Sequence, residues 1–471
     1  MAKTNHSINS LEITSYNKKG RGIGLHVLNE KQTIKVEVPG AVVGDLLSVS
    51  TYCRRNEAHQ ADILKILKPG HDRVAARCPH VPDCGGCSWQ QISYEAQLLE
   101  KNNRLKSLFQ TLDAQDYLRP IIACEPEWNY RNKMDFTFSQ DKTGNRYLGL
   151  IEVNSRGRAI NLQECHLTNP WMAALLAEVR KWWKNEEGLH AFQPNADKGA
   201  LRNLILREGM HTGDRMVNLV VSGNPHEALF KPQINRFIQV IKQTAQPEKG
   251  NLVIFMTIHQ AIKGQRTQFF EMHLSGPEYI TEILNVNDGK NEKQWRFNIS
   301  PSAFFQPNSR QAEKLYSTAL QMATLDGARV FDLYCGTGTL GLAASARAQS
   351  VVGIELSKQA ILDAQENAKH NGVTNATFYD GDVAHVLQGL NGRADVAIID
   401  PPRSGLEDAA IMHLQKLAAK EIIYISCNPL TQVENLKKLV EAGYKIETVQ
   451  PVDQFPHTVH IETIVKLVYN R

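Results

Sequence analysis

The sequence predicts an α/β protein in three parts: a small N-terminal β-barrel, a central α+β region and a C-terminal, doubly wound, mostly parallel sheet. Three observations carry this. Residues 8–68 read as five short β segments parted by Gly-rich turns (LEITSYN, GIGLHVL, QTIKVEVP, LLSVSTYC, QADILKIL), the rhythm of a small barrel. From about residue 310, helical stretches alternate with short β-branched runs, as in a sheet covered on both faces. Between them, residues 128–300 mix six strand-like runs with one or two helices, the clearest at 169–185. Antiparallel pairing is expected for those runs. The chain of 471 residues suits about three domains at ~150 residues each.

The N-terminal part is the most basic. Residues 1–70 hold ten Lys or Arg, among them Lys3, Arg54 and Arg55, against six acids. A face of that sign fits a polyanion partner and equally an ordinary solvated surface. The opening MAKTNHSINS is polar, without the apolar segment of a secretory signal, and no run approaches ~20 apolar residues. A cytoplasmic protein with no membrane partner is expected, one whose thiols stay reduced. Its eight cysteines are therefore read as ligands, nucleophiles or packing rather than disulfides. Cys78, Cys84 and Cys87 fall within ten residues, a ligand-like spacing. Cys165 is the best candidate for a fourth ligand, while Cys53, Cys124 and Cys335 are expected to be packing residues. Four thiolates suit tetrahedral zinc or a four-iron, four-sulfur cluster.

After the cysteines, residues 92–112 place Leu98, Leu105, Leu108 and Leu112 at helical spacing, an amphipathic helix. In the C-terminal part, strand RVFDLYC runs into Gly336, Gly338 and Gly341, spaced G-x-G-x-x-G. Such glycines let a ligand approach the backbone, although alone the pattern serves several nucleotide-like cofactors. The next strand ends in Glu355, whose carboxylate could accept ribose hydroxyls, and Asp382 follows the third. The fourth ends in Asp400-Pro401-Pro402-Arg403 and the fifth, EIIYISC, in Cys427. Ligands of doubly wound sheets sit beyond these carboxyl ends. A strand-terminal cysteine followed by Asn428-Pro429 is less readily explained as a small core hydrophobe. FPHTVHIETI then supplies Glu462, with His457 and His460 beside it.

The segment DPPR resembles motif IV of class I (Rossmann-like) methyltransferases. KKGRGIG and VPGAVVGD resemble the TRAM module, an OB-like RNA-binding barrel. DLYCGTGTLGL, IIDPPRSGL, ISCNP and FPHTVHIE together resemble the RNA 5-methyluridine methyltransferases of the TrmA/RumA type, and FFQPN (304–308) resembles the segment opening their catalytic domain. The resemblance implies S-adenosylmethionine as methyl donor. Cys427 would then be the nucleophile and Glu462 the general base, with Gln306, Tyr334, Glu355 and Asp400 as cofactor contacts. Gly336 and Gly338 would line the cofactor loop, Asp382 would reach the adenine and Phe304 would stack on an extruded base. The chemistry agrees: a thiolate on carbon 6 turns uracil into an enolate nucleophilic at carbon 5, and a base must then remove the carbon 5 proton. Arg403 could favour the thiolate.

The resemblance also selects iron–sulfur over zinc at Cys78, Cys84, Cys87 and Cys165, since the RumA branch carries a cluster with this spacing. TrmA-type tRNA enzymes lack both cluster and TRAM module, which points to 23S ribosomal RNA. The expected division is 1–69 for the barrel, 70–91 with 126–300 for the central region, and 92–125 with 301–471 for the methyltransferase domain. The protein is read as a monomer without an obligate protein partner. Rival readings are tRNA uridine methylation, RNA 5-methylcytosine formation, a small-molecule methyltransferase and a non-catalytic RNA-binding assembly factor. The cytosine enzymes place a second cysteine after the motif IV prolines, where this chain has Arg403.

Overall fold

The computed structural model describes residues 6–52, 59–155, 157–262, 264–390 and 393–469. Cys53, Lys3, Arg54 and Arg55 lie outside them. The N-terminal strands are β1 (His6–Glu12), β2 (Ser15–Tyr16), β3 (Gly22–Asn29), β4 (Gln32–Val38), β5 (Leu46–Tyr52) and β6 (His59–Lys68). They form one six-stranded sheet, ordered β1-β5-β6-β4-β3-β2. The run LEITSYN is not one strand. Ile13 leaves the ladder to exchange backbone hydrogen bonds with the turn at Gly44 and Asp45, which separates β1 from β2. Leu11, Ile13, Val36, Leu47 and Val49 fill the core of this sheet. Gly20, at φ +77°, locks it to the rest: Trp89 Nε1 donates to its carbonyl at 3.0 Å, and a Cβ there would lie 2.6 Å from that nitrogen.

Helix α1 (Tyr94–Phe109) starts at Ser93, whose hydroxyl caps Ala96 N. Its buried stripe is Gln97, Lys101, Leu105 and Phe109, so the expected leucine stripe is only partly the buried one. Leu105 and Phe109 join the core of the C-terminal sheet. The central sheet is built from β7 (Lys133–Gln140), β8 (Arg146–Gly149), β9 (Leu201–Glu208), β10 (Arg215–Ser222), β11 (Leu252–Gln260) and β12 (Gln268–Ser275), with α2 (Pro170–Asn185) and α3 (Lys231–Thr244) interspersed. Its order is β12-β11-β10-β9-β7-β8. Antiparallel pairing holds except between β10 and β11, which are parallel. The reason is α3: a helical crossover returns the chain to the end from which β10 began. The hairpin β13 (Ile280–Asn287) and β14 (Glu292–Ile299) was not among the expected strands. Its Ile280, Leu284 and Phe297 share a core with α4 (Ser309–Met322) and the sheet that follows, so a boundary at residue 300 cuts through a packed unit.

The C-terminal part alternates β15 (Arg329–Leu333), α5 (Thr339–Ala344), β16 (Ser350–Glu355), α6 (Lys358–His370), β17 (Ala376–Asp380), α7 (Val383–Gly389), β18 (Val396–Ile399), α8 (Asp408–Leu417), β19 (Glu421–Ser426) and α9 (Pro429–Glu441). The pair β20 (Tyr444–Val452) and β21 (Glu462–Tyr469) closes it. The order is β17-β16-β15-β18-β19-β21-β20, with β21 antiparallel to both neighbours. Strand order reverses between β15 and β18, where open α/β sheets bind ligands. Among the described residues no helix is long and apolar enough to cross a membrane.

Candidate active site

The loop after β15 is shaped by its glycines. Gly336 (φ +54°) has open space where a Cβ would point, while Gly341 has none: a Cβ there would lie 2.7 Å from Asp332 Oδ2. That carboxylate accepts a hydrogen bond from Gly341 N at 2.7 Å, fixing the start of α5. Asp332 is buried within β15, and burial pushes its carboxyl up to about 7. Nothing in the sequence reading singled it out, although an aspartate inside the apolar run RVFDL was a usable signal. Tyr334 takes a left-handed backbone (φ +63°) between strand and loop. Glu355, at the end of β16, accepts from Gly336 N at 3.3 Å and Ser357 N at 2.9 Å. Asp382 is exposed and caps α7 by accepting from His385 N at 3.1 Å.

Beneath this loop Gln306 is buried, and its Oε1 accepts from Gln454 Nε2 at 3.2 Å. Gln306 also hydrogen-bonds the Tyr316 hydroxyl, to which the Thr339 hydroxyl donates at 3.4 Å. One polar chain thus links the segment before Glu462 to the glycine loop. Phe304 is 64% exposed while Phe305 is in the core, so the first of the two aromatics faces outward.

The register of β19 and β21 brings the two expected catalytic side chains together. Ser426 pairs with Thr463, so the next position in that antiparallel register sets Cys427 opposite Glu462, with both side chains on one face. The Cys427 thiol is pushed above its ordinary value by burial first and by Glu462 second, while Arg403 hydrogen-bonds it and acts in the opposite sense. Arg403 is anchored by its own backbone: its carbonyl accepts from Asn428 Nδ2 at 2.9 Å and the Thr431 hydroxyl at 3.2 Å. Glu462 is buried and lifted to about 8, by burial and then by Asp400. Asp400 is itself held up at about 7 by burial. A cleft of about 630 Å³ opens on the thiol, lined by Arg403, Cys427 and His460 together with Tyr16, Lys18 and Arg104. The N-terminal sheet and α1 therefore line the same cleft as the Cys427 sulfur.

The expected metal ligands converge less tightly. Cys78, Cys84, Cys87 and Cys165 lie within electrostatic reach of one another. Burial pushes all four thiols up, to about 11 at Cys84 and about 12 at Cys87. Among the described residues no three His, Cys, Asp or Glu are close enough to hold one metal ion. Cys124 packs alongside Cys87 and Cys165, but its sulfur accepts from Asn308 Nδ2 at 3.3 Å. Cys335 is buried beside the glycine loop, as expected of a packing residue. His457, by contrast, is a structural residue: it stacks on Trp128 with centroids 3.8 Å apart, and burial lowers its imidazole to about 4.

Known proteins resemble this chain along nearly its whole length. Residues 263–470 match the family model for tRNA (uracil-5-)-methyltransferase. An uncharacterized RNA methyltransferase of Protochlamydia amoebophila is 46% identical over 441 residues, covering 92% of this chain and 99% of the relative. One from Clostridium tetani is 35% identical, covering 95% and 94%. Among solved structures, the tRNA (uracil-54, C5)-methyltransferase of Pyrococcus abyssi with S-adenosyl-L-homocysteine superposes with a TM-score of 0.73 at 24% identity, covering 98% of this chain and all of that one. This last likeness is one of fold.

Proposed function

Since the chain belongs to the RNA 5-methyluridine methyltransferase family, we propose that it methylates carbon 5 of a uridine in 23S ribosomal RNA through a covalent adduct at Cys427. The observation that carries this is the register setting Cys427, which lines an open cleft, opposite the buried Glu462. The glycine loop has room for a ligand at Gly336, with Glu355 alongside to accept ribose hydroxyls. Gln306, Tyr334, Asp382 and Asp400 surround the same strand ends. S-adenosylmethionine, bound there, supplies a methyl group made electrophilic by its sulfonium.

Cys427 Sγ, as thiolate, adds to carbon 6, and the electron pair freed at carbon 5 forms the new bond to the methyl carbon as that carbon's bond to the donor sulfur breaks, the pair leaving with S-adenosylhomocysteine. Glu462 takes the proton from carbon 5, the carbon 6–sulfur bond breaks, and the thiolate returns. Arg403 favours the thiolate in both its free and its departing form. The side chain of Phe304 offers a face for the extruded base. Lys18 and Arg104, in the lining of the same cleft, suit flanking phosphates. Cys78, Cys84, Cys87 and Cys165 would hold a four-iron cluster, which takes four cysteine thiolates as its protein ligands. All four donors are soft thiols, which supports that choice.

A transfer RNA substrate is the second reading. It is favoured by the Pyrococcus abyssi tRNA enzyme, whose fold extends over 98% of this chain, so a three-part architecture is itself compatible with either RNA. Mapping 5-methyluridine in ribosomal and transfer RNA from a strain lacking the protein separates the two. Loss of a ribosomal site is the expected result, and loss of a transfer RNA site alone would overturn the assignment. No loss in either RNA would sink the activity itself.

A further inference from the structure

The nucleophile and the base are supported by different parts of the molecule. Cys427 extends β19, and Arg403 is tied to Asn428 and Thr431 beside it. Glu462 begins β21, and what precedes it is an irregular loop, 453–461. That loop buries Asp453, Gln454 and His457, so its polar groups need partners. Few of them come from the C-terminal sheet.

Lys101, fully buried, donates to Asp453 Oδ1 at 2.7 Å and Phe455 O at 3.2 Å. The Tyr94 hydroxyl donates to Asp453 Oδ2 at 2.9 Å, and that of Tyr130 to Pro456 O at 3.1 Å. His457 N donates to Gln97 Oε1 at 2.8 Å, and Gln97 Nε2 donates to the carbonyls of Trp89 and Ile92. Ser88 N and Trp89 N donate to His457 O at 3.1 and 3.0 Å. These partners sit on the segment that leaves the cysteines and on the one that packs over them. Ser88 follows Cys87, and Trp128 and Tyr130 share an apolar cluster with Cys87 and Cys165. The two polar residues on the buried stripe of α1, Gln97 and Lys101, are spent on this loop.

We propose that the cysteine-bearing segment is a positioning clamp for the general base: gathering the four thiols fixes Ser88, Trp89 and Trp128 against His457, and so holds Glu462 opposite Cys427. The inference rests on the reading of Glu462 as base given above. It assigns the cysteines a place in the second half of the reaction, because proton removal depends on the clamped loop and thiol addition does not. Gln97, His457 and Trp128 are positioning residues.

The test uses the full-length protein, S-adenosylmethionine and total RNA from a strain lacking the enzyme. Cys165→Ser, Trp128→Leu, Trp128→Phe and Glu462→Gln are compared for denaturation-resistant protein–RNA adduct and for amide hydrogen exchange. In Cys165→Ser and Trp128→Leu, exchange over 453–461 should quicken at least tenfold while β15, β18 and β19 stay protected. Adduct should accumulate, since addition continues and elimination lags. Trp128→Phe, which keeps a stacking ring, should restore both. Unchanged exchange over 453–461 in Trp128→Leu would overturn the clamp, and so would turnover lost without accumulation of adduct. If Glu462→Gln yields adduct and the clamp variants do not, only the clamp fails. If Glu462→Gln yields none, the assignment of the base fails and the proposal with it.

Discussion

Two groups of thiols in this protein lie in opposite chemical settings. Cys427 is alone, half-buried at a strand end, open to a cleft, and hydrogen-bonded by a guanidinium. Cys78, Cys84, Cys87 and Cys165 lie within electrostatic reach of one another, and Cys78, Cys84 and Cys165 raise the cost of ionising Cys87. A lone thiol with a cation beside it can become a thiolate and still reach a substrate. Four thiolates in one shielded place are tolerable only around a cationic centre that neutralises them. The same side chain is thus suited to the proposed nucleophile in one place and to the proposed ligand in the other, and the difference lies in company and access, not in the residue.

The largest effect that could break this contrast is at Cys427. Cys427→Ala should reduce methylation by more than about 10³-fold, because among the described residues no other thiol lines the cleft to form the covalent bond. RNA retention on a filter should be nearly unchanged. Activity within tenfold of the parent would mean that the sulfur is not the nucleophile. The cysteine group should respond differently. If it holds a metal cluster, stripping the metal with a chelator under air should lower Tm by several degrees, since binding to the folded state alone is stabilising. It should not diminish alkylation of Cys427 in the native protein. A Tm indifferent to metal removal would leave those thiols as packing.

Arg403 sharpens the comparison on a smaller scale. Arg403→Met removes the cation and the hydrogen bond but keeps much of the side chain's bulk, so the Cys427 thiol should titrate higher. At pH 7.5 the rate of iodoacetamide alkylation at Cys427 should fall about tenfold, because less of the thiol is ionised. An unchanged rate would show that Arg403 serves the RNA instead of the thiol.

Much of the C-terminal sheet could be read directly, because alternating helices and β-branched runs mark strand ends and the motifs sit on those ends. The place of Cys427 at the end of β19 was legible for that reason. Glu462 was only half legible: a lone glutamate near a strand start carries no signal until the antiparallel register sets it across from the thiol. The clamp was not legible at all. Gln97 and Lys101 interrupt an apolar pattern, and hydrophobic periodicity assigns such residues to the solvent side. They are buried because Asp453 and His457 wait for them from more than 350 residues away in sequence. Asp332 escaped for a similar reason, since its partner is the backbone of Gly341 and not another side chain. The parallel step between β10 and β11 depended on recognising α3 as a crossover, which strand patterns alone do not reveal.

The smallest effect separates Glu462 as a base from Glu462 as a structural acid. Its folded pKa of about 8 stands above the ordinary carboxyl value of 4.5. A carboxyl shifted upward stabilises the fold below the unfolded pKa and loses that contribution as pH rises through the folded one. The loss should therefore run from about pH 4.5 to about pH 8. Glu462→Gln cannot ionise, so it should gain stability relative to the parent as pH rises, with the Tm difference between the two at pH 9 exceeding that at pH 5 by a few degrees. Turnover of the parent should rise over the upper part of the same window, because only the carboxylate can take the carbon 5 proton. A Tm difference independent of pH would place Glu462 in contact with water or a cation, and the burial that tunes it as a base would have to be abandoned.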